Sequence, residues 1–275
     1  MFLINSFIYS SAPPVETEFK MTVDTTQAGS ASDTFVLPLH SGTTSMTVSW
    51  GDGNSDVITA WNQAELTHVY ASSGTYQISC DGSFAGLKQS GSSDKKKIMS
   101  IDNWGTNTWT NCWIAFSGCI NMVANYTDNP DFSGASLMNY TFLDCNNFNG
   151  SLEIDATNCT TMYQMFANCF LLNSPIIVNN SSLVTTFAYM FYKNYVFDQD
   201  ISSWNISALT SASNMFTFSA FSTTNYDLLL PAWDAYGTSG VNLHAGTAQY
   251  SSGAPATARA NMVSRSWTIT DGGLV

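Results

Sequence analysis

Between Ala115 and Ser219 the apolar positions recur with a long, nearly constant period. The phrases Ala115-Phe116-Ser117-Gly118-Cys119, Thr141-Phe142-Leu143-Asp144-Cys145, Met165-Phe166-Ala167-Asn168-Cys169, Met190-Phe191-Tyr192-Lys193-Asn194 and Met215-Phe216-Thr217-Phe218-Ser219 set phenylalanines 26, 24, 25 and 25 residues apart. Met122, Phe148, Leu172 and Phe197 follow these rings by six residues, while Cys112, Met138, Met162, Phe187 and Ala212 precede them by four. Ten residues after three of the rings come Leu152, Ile176 and Ile201, read as centres of a short strand in three successive coils. A fixed period of this length marks a solenoid, because each unit has one apolar face that only a neighbouring unit can cover. The columns are expected to stack as apolar ladders, Phe116 over Phe142 over Phe166 and onward.

Outside the array the pattern changes to short alternation. Ser45-Met46-Thr47-Val48-Ser49-Trp50 alternates like a half-buried strand and runs into the turn Trp50-Gly51-Asp52-Gly53. Thr67 to Cys80 reads as strand, glycine turn and strand, with Tyr76, Ile78 and Cys80 on one face. Lys97 to Gly105 leads into the array. After Phe221 the period breaks: Tyr226–Trp233 predicts a short helix, Val241–Ala245 a strand, Ala254–Val263 a helix with proline near its start, and Trp267–Gly273 a last strand and turn. An atypical terminal unit is what covers an array's last apolar face.

Two resemblances attach to these stretches. Trp50-Gly51-Asp52-Gly53 followed by Thr67-His68-Val69-Tyr70-Ala71-Ser72-Ser73-Gly74-Thr75-Tyr76 resembles the PKD domain, a small immunoglobulin-like β-sandwich of extracellular proteins. That likeness implies a spacer or a carbohydrate- or protein-contacting module, and no chemistry. Met190-Phe191 with Phe197-Asp198-Gln199-Asp200-Ile201-Ser202-Ser203-Trp204-Asn205-Ile206-Ser207 resembles the BspA-like leucine-rich repeats of bacterial surface proteins; Ile176-Ile177-Val178 departs from that consensus, and the coil from Tyr126 to Phe132 is the least regular. Together the likenesses imply a mainly β chain: an N-terminal immunoglobulin-like β-sandwich plus a short leucine-rich-repeat solenoid with a C-terminal α/β cap. The expected divisions are an N-terminal docking segment 1–17, a PKD-like sandwich 18–88, a connector 89–97, the solenoid 98–225 and the cap 226–275.

Charge narrows the partners. Eight basic against twenty acidic residues give a net charge of −12, which argues against nucleic acid. Lys95-Lys96-Lys97, with Lys88 nearby, is read as a solvated connector. Charged residues make up only 10% of the chain, so Ser, Thr and Asn fill the wet face. No apolar run reaches the length of a membrane helix, about 18 residues. The first twelve residues resemble a signal peptide only faintly, lacking a basic start, and are read as a strand or docking segment of the mature chain. Six cysteines are present. Cys119, Cys145 and Cys169 share one column and are expected as free, buried thiols.

Chemistry is sparse. His40, His68 and His244 have no ligand spacing, and no nucleotide loop or nucleophile elbow occurs. Neither a metal nor a cofactor is expected, and no catalytic residue is assigned. Asp52 with Asp56 admits a calcium-loop reading, against a plain turn cap. Asn-x-Ser/Thr triplets at Asn125, Asn139, Asn158, Asn180 and Asn205 are read as repeat surface. Trp61, Trp104, Trp109, Trp113, Trp204 and Trp233 are candidate aromatic platforms. The candidate binding residues are Trp204, Asp198 and Asp200.

The function expected is non-enzymatic surface recognition, with a virus or phage virion component (fibre, decoration or receptor-binding protein) as the first setting. Its partners would be host-surface glycan or protein, other virion proteins through the N-terminal segment, and further copies of itself through homo-oligomer contacts. A bacterial cell-surface adhesin is the alternative. A polysaccharide-degrading enzyme using Asp198 and Asp200 as acid and base is the opposing class.

Overall fold

The computed structural model describes residues 16–91 and 94–275; the docking role expected of the N-terminal segment falls almost wholly outside them. The chain is mainly β. Alternation dictates the first strands, β1 (Phe19–Asp24), β2 (Thr34–Val36), β3 (Thr44–Ser49), β4 (Ser55–Ile58), β5 (Thr67–Val69) and β6 (Thr75–Phe84). In β3 every second residue faces the core. β2 and β5 form an antiparallel pair, while β4, β3, β6 and β1 lie side by side in a larger sheet.

That sheet does not stop where the repeats begin. β7 (Ile98–Asn103) pairs antiparallel with β1 and parallel with β8 (Val123–Ala124), a rung of the first repeat. One strand therefore belongs to both patterns, and the six-stranded order is β4–β3–β6–β1–β7–β8. Trp104, directly after β7, is fully buried and packs against Phe19 on one side and Phe116 on the other.

From Phe116 onward each turn of chain lies on the next. The Phe116–Phe142, Phe142–Phe166, Phe166–Phe191 and Phe191–Phe216 centroids are 5.4, 5.3, 5.9 and 5.8 Å apart, with planes within 19° of parallel. A second ring leans on the column in three coils: Phe148, Phe197 and Phe221 stack on Phe142, Phe191 and Phe216. All of these rings are buried. Removing one would cost about 3–5 kcal/mol by the usual scale of Phe→Ala in a core.

The backbone around each ring explains why the coils hold together. Two residues before and two after each phenylalanine the chain is left-handed: Ile114 and Gly118, Tyr140 and Asp144, Gln164 and Asn168, Tyr189 and Lys193, Asn214 and Phe218. Nine of these ten are not glycine, and each such residue costs about 1 kcal/mol or more. The reward is directional. The N–H groups of Tyr140, Phe142 and Asp144 point out of the coil and donate to Tyr163, Met165 and Ala167 of the next, and those of Tyr189, Phe191 and Lys193 to Ser213, Met215 and Thr217. The alternate N–H groups, such as Leu143 and Cys145, close local turns onto Tyr140 and Phe142. Donors paired in these two ways meet the demand that burial makes of a dry backbone.

Regular strand is short. β9 (Leu152–Asp155) and β10 (Ile176–Asn179) pair in parallel from Leu152 and Ile176, so those residues start their strands rather than centre them. Ile201 is buried but belongs to no strand; its coil turns instead through Ser202 and Ser203. Elsewhere single parallel bridges join Leu137, Thr161, Thr186 and Ser211.

The period stretches after Phe221 but does not end. β11 (Ser211–Ala212), β12 (Asn242–His244) and β13 (Thr268–Thr270) continue the same ladder in parallel, with α1 (Thr223–Asp234) and α2 (Ala254–Ser264) filling the longer coils. By the donation rule of the earlier coils, Phe216 N–H reaches His244 O and Ala245 N–H reaches Thr270 O. Ala245 and then Asp271 thus stand where phenylalanine stood. Asp271, nearly buried, takes bonds from Tyr226 Oη and Arg259 Nε at 2.9 and 2.6 Å. A charged, paired residue in the column's last position leaves no apolar ring for a further coil.

The other end is closed by the segment expected to be a solvated connector. Gln89 is buried and donates from its backbone N–H to Ile114 O at 3.1 Å and from Nε2 to Ala115 O at 3.2 Å. Those carbonyls belong to the first coil, which has no earlier coil to donate to them. Lys97 is fully buried rather than solvated. Its Nζ donates to Ala31 O and Thr34 O at 2.8 and 2.7 Å and lies 3.9 Å from Asp94. Asp94 in turn accepts from Ser30 N and Val36 N. Sequence alone cannot separate Lys97 from its exposed neighbour Lys96; only the fold shows the carbonyls waiting for it. Lys97→Ala is expected to cost about 3–5 kcal/mol in denaturant unfolding, because it removes the buried cation beside Asp94 and the donor to the Ala31 and Thr34 carbonyls, against less than about 0.5 kcal/mol for Lys96→Ala. Equal effects would contradict this assignment.

Candidate functional site

Of the three residues singled out for binding, Trp204 is corrected outright. It has no exposed surface and packs against Phe187 and Phe191 at 5.1 and 6.1 Å. The turn Ile201–Trp204, closed by Trp204 N–H on Ile201 O, points the indole inward, beneath the ring column. Trp104, Trp109 and Trp233 are buried as well, whereas Trp61 and Trp113 are partly exposed.

Asp198 belongs to a column of acceptors. Asn149 Oδ1 receives Asn173 N–H at 2.8 Å, Asn173 Oδ1 receives Asp198 N–H at 2.8 Å, and Asp198 Oδ1 receives Ser222 N–H at 2.9 Å and Asn225 Nδ2 at 2.8 Å. Each side chain ties its coil to the next one, and Asp198 ties the last to the start of α1, whose N-cap is Ser222. Asp200 closes a local turn by accepting from Ser202 N–H at 2.8 Å. The pair thus serves a coil joint and a coil turn.

The remaining candidates are also engaged in local structure. Asp52 accepts from Asn54 N–H and from His68 Nε2 at 3.0 and 2.9 Å; burial raises its carboxyl and these bonds outweigh that, holding it below the usual carboxylate range. His68 lies flat on Trp50 at 4.8 Å, and Trp50 Nε1 donates to Asp56 at 2.8 Å. The Trp50-Gly51-Asp52-Gly53 turn is thus a packed aromatic and hydrogen-bonded unit. Among the described residues no group of three or more His, Cys, Asp or Glu is placed to hold a metal ion. Asn139 and Asn158 of the glycosylation-like triplets bond to neighbouring coils.

All six cysteines are free and buried. Cys145 and Cys169 donate their thiols to Phe116 O and Phe142 O, both at 3.0 Å, so the column serves backbone acceptors of the preceding coil. Burial pushes the Cys80 thiol up to about 12 and that of Cys159 to about 11, which makes them poor nucleophiles.

What the coils leave open is a shallow basin of about 420 Å³ beside the left-handed bend. Gly118, Asp144, Asn168 and Lys193 supply one row of its floor, two residues after each phenylalanine. The next row, four after, holds Ile120, Asn146, Phe170 and Tyr195. Asn168 Nδ2 donates to Asp144 Oδ1 across the first row at 2.5 Å, and the Phe170 and Tyr195 rings meet at 5.3 Å in the second. Tyr195 is 53% exposed, and Phe218, next in the first row, 59%. Sequence reasoning missed this basin although its signal was present: the period fixes which variable residues become neighbours once the rings are stacked. On the far side of the bend Tyr140, Tyr163 and Tyr189 form an edge-to-face ladder at 5.4 and 5.8 Å.

Charge and hydrogen-bond acceptance at Asp198 can be separated by experiment. Asp198→Asn keeps the acceptor oxygen and is expected to change stability by less than about 0.5 kcal/mol, whereas Asp198→Ala strands two donors and costs about 1–3 kcal/mol in denaturant unfolding. An equal loss for both would mean that charge, not acceptance, matters there.

Comparison with known proteins adds one match. The family model described as "Mycoplasma protein of unknown function, DUF285" matches residues 87–176 and again 110–233, overlapping spans that together cover more than half of the chain. No curated protein matches, and no solved structure does. The family model covers every coil from the buried Gln89 to α1, and the chain belongs to the DUF285 family.

Proposed function

We propose that this chain is a non-enzymatic surface-recognition protein whose working face is the open side of the coil stack. The observation that carries the reading is the contrast between two sets of residues. Carboxylates that might have done chemistry, Asp52, Asp198 and Asp200, are held in turns and coil joints, while aromatic and amide side chains line a basin open to solvent. Shallow, repeated contacts of that kind suit a carbohydrate or protein surface, and copies displayed together add avidity. Family membership is compatible with a surface protein. The architecture that goes with the proposal is a PKD-like immunoglobulin-like module over residues 18–88, a leucine-rich-repeat solenoid of the BspA-like kind, and a C-terminal cap.

The setting proposed first is a phage or virus particle, with the chain as fibre, decoration or receptor-binding protein contacting host-surface glycan or protein. Six unpaired thiols suit folding in a reducing compartment. A bacterial cell-surface adhesin is the second setting, favoured by the bacterial name of the matched family. Immunogold labelling of intact particles and cells separates them.

The recognition reading predicts saturable binding of the labelled full chain to intact cells or arrayed surface glycans, with no new reducing ends released. A Tyr195→Ala/Phe218→Ala double variant should lose about tenfold or more in affinity. Glycan cleavage by the parent chain that Asp198→Asn abolishes would instead establish the enzyme, and the absence of saturable binding to any surface tested would remove the proposal.

A further inference from the structure

The chain is strongly acidic, yet its unpaired cations are not scattered. Of eight basic residues, Lys20, Lys97, Arg259 and Arg265 are each within ion-pair distance of a carboxylate. The other four, Lys88, Lys95, Lys96 and Lys193, have no such partner among the described residues. Three of them, Lys95, Lys96 and Lys193, line the basin beside the coil bends. In a molecule of net charge −12, three of the four ammonium groups without a carboxylate partner therefore stand round one depression, the fourth, Lys88, lying over Trp113 elsewhere.

A second feature points to a built site. In the row two residues after each phenylalanine, Asp144, Asn168, Lys193 and Phe218 all adopt a left-handed backbone while bearing side chains. Gly118 alone has none. A Cβ there would lie 3.0 Å from Lys95 Cδ and Nζ, so the lysine stem runs directly over the bare backbone of Gly118. The missing side chain is the seat in which the Lys95 stem rests, with its ammonium on the basin. At the opposite end Lys193 lies three coils farther along, about 14 Å away at the usual spacing of paired strands. Between the two ends stand the Phe170–Tyr195 ring pair and the Asn146 and Asn168 amides.

We propose that this basin binds an acidic oligosaccharide. Carboxylate or sulfate groups meet Lys95 and Lys96 at one end and Lys193 at the other, a sugar face lies on the exposed Tyr195 ring, and hydroxyls bond the amides. The span between the cationic ends is too long for a single small anion and matches a chain of sugars. Asp144, the one carboxylate among the lining residues, opposes the ligand and so supplies a test of opposite sign. The inference rests on the recognition reading above and names the ligand class of that face.

The experiment is equilibrium titration of the full chain with three hexasaccharide-length probes: oligogalacturonate, carrying only carboxylates; carrageenan fragments, carrying only sulfates; and neutral cellohexaose. At least one acidic probe should bind about tenfold or more tightly than cellohexaose and weaken as salt is raised. Lys96→Gln/Lys193→Gln should cut that affinity about tenfold, each exposed charge contributing a few-fold. Gly118→Ala, which takes the seat of Lys95, should weaken it as well. Asp144→Asn should tighten it about two- to fivefold. Thermal unfolding of each variant checks folding, and the gain from Asp144→Asn is one that misfolding cannot mimic. Which acidic probe wins tells carboxylate from sulfate. Equal binding of neutral and acidic probes, no binding of either acidic probe, or a lysine variant as tight as the parent overturns the inference. If cell or glycan binding survives while these results fail, only the ligand class falls; if no surface binds at all, the recognition reading falls with it.

Discussion

Everything in the repeat region depends on N–H groups that leave one coil and end on the carbonyls of the next. A phenylalanine column alone would hold apolar surface together without fixing direction, since burial is not directional. The left-handed residues on either side of each ring, from Tyr140 and Asp144 to Asn214 and Phe218, turn alternate amides outward. Those amides donate in one sense only, toward the C-terminus. The strain at nine non-glycine positions is tolerated because stacking rings and paired amides offset it. The two act together: rings set the spacing and amides set the register.

A one-way ladder has two unequal ends, and the chain treats them differently. The first coil offers spare carbonyls, met by the backbone and side-chain N–H groups of Gln89. The last coils offer spare donors and an apolar face, met by His244, the two helices and the Arg259–Asp271 pair. β7, which serves both the large sheet and the first coil, and the buried Lys97–Asp94 node bind the N-terminal strands to the array. Within the stretch expected to be a connector, Gln89, Asp94 and Lys97 are instead among the buried polar groups of the molecule.

How much of this was legible follows from what each signal encodes. Period and ring identity are one-dimensional, so Phe116, Phe142, Phe166, Phe191 and Phe216 could be set in one column from spacing alone, and the glycine turns and cap helices carried local signatures. Lys97 could not be told from Lys96, because burial of a lysine is decided by distant carbonyls at Ala31 and Thr34. Trp204 read as a platform because a turn flanks it, but turn chemistry does not say which way an indole points. Asp198 was a candidate binding residue; its place as an acceptor in a column shows only once Asn149 and Asn173 occupy the same position in earlier coils. The basin was visible in principle as the two rows following each ring; reading it needed the knowledge that those rows face water.

Because one ladder of amides joins the coils, they should open together or not at all. Native-state hydrogen exchange at the amides of Phe142, Phe166 and Phe191 tests this most directly, since all three donate between coils. The account predicts that they exchange only through global unfolding, with protection matching the full stability of the chain. Exchange at these three positions as fast as in an unstructured peptide would show that coil does not bond to coil, and the shape, the capped ends and the open working face would fall with it.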